Sequence, residues 1–263
     1  MCRLLKALPL TLAIAALIVL ATFAASCGSG NTAQARFVNA ISDDTQALDI
    51  EFNANKAFTA VGPFTASGST YVGVPTGSDK IAGFATGTTT QVFSVPSPVS
   101  YNSGSQYTVV AIGQLAGTVT IVAPVDTNTE PANGSVNFRV INASLASPGS
   151  MDVYILQDQD STAGSTCTPA GPGSNCPPTI TGIASPLAST TPFSSYVNVP
   201  YNSLGFGYTL YVTITEQSSP YYAGPYSFNA GSISVGSIRT IVLTDAAGGH
   251  AMSTTPIVLS DLN

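Results

Sequence analysis

Residues 36–52 read R-F-V-N-A-I-S-D-D-T-Q-A-L-D-I-E-F, and residues 139–155 read R-V-I-N-A-S-L-A-S-P-G-S-M-D-V-Y-I. The two blocks align without a gap, so the spacing from Arg36 to Arg139 equals that from Asp49 to Asp152. In each, a strand-like run ends in Asn-Ala, a short polar link follows, and a second run alternates apolar with polar residues at the period of two expected of a half-buried strand. This is the signature of a duplicated domain.

Working outward, S-T-Y-V-G-V-P around Tyr71 returns as S-S-Y-V-N-V-P around Tyr196, and G-S-Q-Y-T-V-V from Gly104 returns as G-S-I-R-T-I-V from Gly236. The wider spacing of these later landmarks places an insertion, residues 156–193, in the second copy. In the first copy the short runs Ala35 to Ala40, Ala47 to Asn53, Lys56 to Phe64, Thr70 to Pro75, Asp79 to Thr86, Thr89 to Val95, Gln106 to Ile112 and Thr118 to Ala123 are separated by Gly, Ser, Pro and Thr. No amphipathic helix interrupts them. The pattern predicts an all-β chain of two tandem antiparallel β-sandwich domains, immunoglobulin-like or transthyretin-like. Their expected bounds are 35–125 and 136–263, with the polar stretch 126–135 as linker.

Composition agrees with an exported β protein. Charged residues make up 8% of the chain against about 25% in an average protein, and the formal net charge is −6, which excludes a nucleic-acid partner. Residues 1–26 join a basic start, Arg3 and Lys6, to an apolar run from Ala7 to Phe23 and then Ala24-Ala25-Ser26 before Cys27. They read as an export signal. The small residues before Cys27 resemble the lipobox of bacterial lipoproteins, although Ala24 stands where leucine is usual. That resemblance implies removal of the signal, lipidation of Cys27 and a flexible tether over residues 27–34. Gly28, which is not the aspartate that retains some lipoproteins in the inner membrane, favours an outer-membrane or cell-surface address. Ordinary secretion after Ser26 and retention of the apolar run as an anchor are the competing readings. Cys167 and Cys176, the only other cysteines beyond the signal, are expected to pair across a turn-forming loop in an oxidising compartment.

The motifs also resemble a known family, domain of unknown function 4397, which often occurs in tandem on exported bacterial and archaeal proteins. The resemblance rests on R-F-V-N-A followed by L-D-I-E-F, on Y-V-G-V-P, and on Y-T-V-V-A-I-G from Tyr107, which loosens to R-T-I-V-L-T-D in the second copy. It implies a β-rich extracytoplasmic module and brings no catalytic residues.

The residues themselves suggest little chemistry. His250 is the only histidine, in a glycine-rich turn, and no G-x-S-x-G elbow presents a nucleophile. Asp158 and Asp160 begin like a calcium loop, yet Ala163 and Pro169 replace its glycine and glutamate. No phosphate-binding loop occurs, and no metal or cofactor is expected. Asp43, Asp44, Asp49 and Glu51 have no context that marks a paired-carboxylate catalyst. Tyrosines such as Tyr196, Tyr201, Tyr208 and Tyr211 could form a sugar platform, but they also suit strands, and the chain has no tryptophan. The reading is therefore a non-enzymatic, lipid-anchored envelope module, structural or adhesive, contacting an extracellular protein or glycan. The alternative is a polysaccharide-binding accessory or an enzyme acting on glycans. Arg36 with Asp49, and Arg139 with Asp152, are expected to form cross-strand ion pairs on one outward sheet face, with Phe37, Leu48, Ile50 and Phe52 inward.

Overall fold

The computed structural model describes residues 32–96, 98–147, 150–157, 179–184, 192–201, 208–214, 223–228, 233–248 and 251–261. Cys27, Cys167, Cys176 and His250 lie outside these residues, as do residues 1–26, which read as an export signal. Among the described residues every regular element is a strand, and no helix is long and apolar enough to cross a membrane.

The first copy contains β1 (Thr32–Ile41), β2 (Leu48–Phe52), β3 (Asn55–Val61), β4 (Thr65–Ala66), β5 (Val72–Pro75) and β6 (Gly77–Asp79). It continues with β7 (Ile81–Ala85), β8 (Gln91–Ser94), β9 (Val99–Tyr101), β10 (Gln106–Gly113), β11 (Val119–Val122) and β12 (Val125–Asp126). The second contains β13 (Ser135–Asn142), β14 (Ser150–Gln157), β15 (Thr179–Ala184) and β16 (Val197–Pro200). Its last strands are β17 (Tyr208–Ile214), β18 (Ala223–Phe228), β19 (Ile238–Leu243) and β20 (Ile257–Ser260). Asp126 closes β12 and Ser135 opens β13, so the connection between the copies is residues 127–134, shorter at both ends than composition suggested.

One sheet of the first copy runs β11-β10-β1-β4, with β5 also on β1 and β12 also on β10; a second runs β3-β2-β7-β8. The second copy repeats this plan as β16-β13-β19-β20 and β15-β14-β17-β18. The expectation of purely antiparallel sheets fails at one place in each copy. β1 pairs β10 in parallel, Arg36 opposite Thr108, and β13 pairs β19 in parallel, Arg139 opposite Thr240. Parallel neighbours need a long crossover, and here the intervening strands supply it.

The period of two sorts each long strand between two environments. Ala33, Ala35, Phe37 and Ile41 of β1 join Leu48, Ile50 and Phe52 of β2 in the core of the first copy. Val136, Phe138 and Val140 of β13 join Met151, Val153 and Ile155 of β14 in the core of the second. The opposite faces of β1 and β13 are largely covered as well. Val38, Ala40, Val110 and Ile112 from the first copy and Ile141, Ala143, Val242 and Leu259 from the second form one further buried cluster. The two copies are thus packed face to face through the sheets that carry their Arg-containing strands.

The repeated Asn-Ala has a local cause. Asn39 Oδ1 accepts from the Ile41 amide at 3.3 Å while its Nδ2 donates to Asp44 at 2.7 Å. In the second copy Asn142 Oδ1 accepts from the Ser144 amide and its Nδ2 donates to Ser147, at 3.1 and 2.9 Å. In both, one buried amide side chain satisfies the turn that ends the strand.

Candidate functional site

Arg36 and Arg139 project from β1 and β13 into the junction, where both are almost wholly buried, at 0% and 2% exposure. A buried guanidinium must have its charge and its N–H groups answered, and here each is answered from both copies. Arg36 donates through Nε to Thr108 Oγ1 at 2.9 Å in its own copy, through Nη1 to the Ser260 carbonyl at 2.6 Å, and through Nη2 to Asp261 in the other copy. Arg139 donates through Nε to Thr240 Oγ1 at 3.2 Å in its own copy, through Nη1 to the Val125 carbonyl at 3.0 Å, and through Nη2 to Asp126 in the other. Each carboxylate takes its arginine from the other copy and its hydroxyl donors from its own. Asp126 receives the Thr108 hydroxyl and, at 2.6 Å, the Tyr71 hydroxyl; Asp261 receives the hydroxyls of Thr240 and Tyr196, each at 2.6 Å.

The tyrosine rings close the cluster. The Arg36 guanidinium lies 5.2 Å from the centre of the Tyr71 ring and that of Arg139 lies 4.8 Å from the Tyr196 ring, within cation–π range. Burial first, and then the nearby aspartate charge, push both phenols well above the ordinary tyrosine range. Burial, the largest single influence, opposes the charge on Arg139, but Asp126, Tyr196 and Asp261 together outweigh it and raise the hold of Arg139 on its proton. The arrangement is a neutral set of two arginines and two aspartates with pseudo-twofold symmetry. As all three nitrogens of each guanidinium are engaged, it joins surfaces and offers no free base or nucleophile.

The expected pairs are therefore corrected. Arg36 is paired with Asp261, with Asp126 at 3.8 Å, and Arg139 with Asp126, with Asp261 at 3.9 Å. Asp49 and Asp152 sit on β2 and β14, which belong to different sheets from β1 and β13, so they are not cross-strand neighbours of the arginines. The face opposite Phe37 is indeed turned away from its own core, but the other copy covers it. The sequence reading missed Thr108, Thr240, Asp126 and Asp261. The signal for the aspartates was present as V-D-T-N at residues 125–128 and S-D-L-N at 260–263, each at the end of the last strand of its copy.

Asp49 has a different partner, Lys56 Nζ at 2.6 Å, and also accepts from the Ala60 amide at 3.0 Å. The lysine first and then that amide lower its carboxyl to about 2. Since the folded value lies below the unfolded one, about 3.9, this stabilisation is present above about pH 4 and is lost as pH falls through about 2. An Asp49→Asn chain is expected to be less stable near neutrality yet to lose less stability over that acid window, as read from denaturant midpoints at both ends of it.

Asp79, at the end of β6, is buried with one oxygen on Asn53 Nδ2 and the other, Oδ2, without a partner among the described residues. Burial raises its carboxyl. A raised folded value means that ionisation opposes folding increasingly as pH rises above about 4. Asp79→Asn is expected to equal or exceed the parent in stability at neutral pH, with the advantage vanishing near pH 4. Parallel denaturant titrations would check this.

Among the described residues no group of three or more His, Cys, Asp or Glu could hold a metal ion. Residues 33–154 match the family model described as "Domain of unknown function (DUF4397)". The match spans the first copy, the connection and β13 with most of β14, and supports the resemblance read from the motifs. No curated protein matches the chain. Two solved structures show weak likeness. The Bacillus anthracis TIE protein is 9% identical with a TM-score of 0.26, over 81% of this chain and 34% of the other, so the chain spans about a third of its length. The family 26 carbohydrate-binding module CBMbc of Eubacterium rectale Amy13K, solved with maltoheptaose, is 12% identical with a TM-score of 0.24, over 85% of this chain and 97% of the other. At such TM-scores neither carries an argument about fold or ligand.

Proposed function

We propose that the chain is a non-enzymatic module of the cell envelope, built as two tandem β-sandwiches and held to a membrane through a lipid on Cys27, with a structural or adhesive role toward an extracellular protein or glycan. The observation that carries this reading is the junction. Four landmarks of the duplication, Arg36/Arg139, Tyr71/Tyr196, Thr108/Thr240 and Asp126/Asp261, converge on one buried cluster whose groups satisfy one another. The most distinctive polar residues of the repeat thus serve to fix the two copies as one body, leaving outer edges and loops for contact. Within residues 156–193, where β15 takes the place of β3, the segment around Cys167 and Cys176, closed by a disulfide between them, is the copy-specific part.

A screen of the soluble fragment from Asn31 against glycans and envelope proteins tests the role. Saturable binding without turnover supports it, and release of products from a polysaccharide overturns it. Intact-mass analysis of the exported protein tests the address, since an unmodified chain beginning at Cys27, or one that retains Met1, removes the lipid anchor.

A further inference from the structure

The polar cluster is symmetric, but the apolar surface around it is not. At equivalent positions the first copy has Val38, Ala66 and Val122 where the second has Ile141, Phe193 and Ile257, and these six side chains belong to or pack against the shared cluster. The reverse holds once, with Ile112 in the first copy opposed in kind by Thr244 in the second. Pairing a first copy with another first copy would set small against small and leave voids, while pairing two second copies would crowd Phe193 and Ile141. Cores and interfaces penalise both. Size therefore selects a first copy for a second copy, and the arginine–aspartate cluster fixes their orientation.

That selectivity does not specify which chain supplies the second copy. Only residues 127–134 tie β12 to β13, and the arginine of each copy is incomplete without an aspartate from the other. We propose that the junction is also an intermolecular adhesive surface whose partner is a second copy of this chain: the first copy of one chain docks on the second copy of another, reciprocally, by exchange about residues 127–134. The proposal rests on the junction and not on the envelope address.

The test uses two full chains, Arg36→Asp and Asp261→Arg. Within either chain the junction opposes like charges at these two positions, a pair of carboxylates in the first variant and a pair of guanidinium groups in the second. Between the two chains both reciprocal junctions regain opposite charges. Sedimentation after co-refolding is expected to give a 1:1 dimer in the mixture, at least tenfold more abundant than in either chain alone. A dimer equally abundant in the single-variant samples places the contact elsewhere and overturns the proposal. To guard against failure of a variant to fold, the parent chain carrying two different tags is co-refolded at rising concentration. A doubly tagged dimer whose fraction grows with concentration is expected, and monomer at every concentration overturns the proposal.

Discussion

Replacing Arg36 by alanine is expected to destabilise the chain by about 3–5 kcal/mol, because it removes one cation from a buried set of two arginines and two aspartates. Asp261 would keep the hydroxyls of Tyr196 and Thr240, but its nearest remaining cation in the cluster would be Arg139, at 3.9 Å, with Arg239 acting on it only through space. Hydrogen bonds from hydroxyls do not neutralise a buried carboxylate. For a chain of this size the loss corresponds to a fall in melting temperature of about 10 °C. Since the cluster spans the junction, the parent should unfold in one transition and the variant in two, as the copies separate before either melts. Differential scanning calorimetry reads both effects. A cycle with Asp261→Ala should show coupling of about 1–3 kcal/mol, and the double variant should cost less than the sum of the singles, because no lone charge is then stranded. A coupling near zero would mean that water enters the junction and the pair is not doing what its geometry suggests.

Much of the fold was legible in the period of two. Leu48, Ile50 and Phe52 are buried together as their alternation required, and the match of residues 36–52 to 139–155 located β1, β2, β13 and β14. What the alternation hid was the second buried face. Phe37-Val38 and Val140-Ile141 are consecutive apolar residues, as are Val109-Val110 and Ile241-Val242. A strand that is apolar on both faces is covered on both, and reading those pairs so would have put Arg36 in an interface and not on a surface. The parallel pairing of β1 with β10 was not legible, because parallel and antiparallel neighbours share the same period. Nor were the partners of the arginines. An ion pair across a junction joins residues such as Arg36 and Asp261, at opposite ends of the chain, and local spacing carries no information about that distance. The repeat did mark Tyr71 and Thr108 with their counterparts, since both lie inside the recurring Y-V-x-V-P and T-x-V motifs, but nothing in a strand pattern says which repeated residue faces solvent.

The last of the family-like motifs makes a sharper prediction. Gly113 ends Y-T-V-V-A-I-G at the close of β10, with φ of 129°, a region that side-chain-bearing residues avoid. A Cβ built there would lie 2.1 Å from the Thr118 carbonyl oxygen and 3.1 Å from Val119 Cα, both backbone atoms that cannot rotate aside. The position is also fixed from the other side. The Gly113 carbonyl accepts from the Ser42 amide at 2.9 Å, while Asp43 holds the turn through the amides of Leu115 and Ala116 at 2.6 and 3.0 Å. Gly113→Ala must therefore break the β10–β11 turn or the link to residues 42–43, and is expected to cost about 3 kcal/mol or more. Gly117→Ala, in the same turn, is the control: its Cβ would meet nothing nearer than 3.9 Å, and the change should stay within about 1 kcal/mol. The second copy has Asp245 at the corresponding place, and its carboxylate caps the amides of Leu145 and Ala146 at 3.0 and 3.1 Å. The capping carboxylate has moved from the loop after the first strand to the end of the penultimate long strand, which is why R-T-I-V-L-T-D departs from Y-T-V-V-A-I-G. Denaturant midpoints of Gly113→Ala and Gly117→Ala, measured side by side, would test the assignment. Equal midpoints would show that the turn relaxes without cost and that the glycine of the motif is not a backbone requirement.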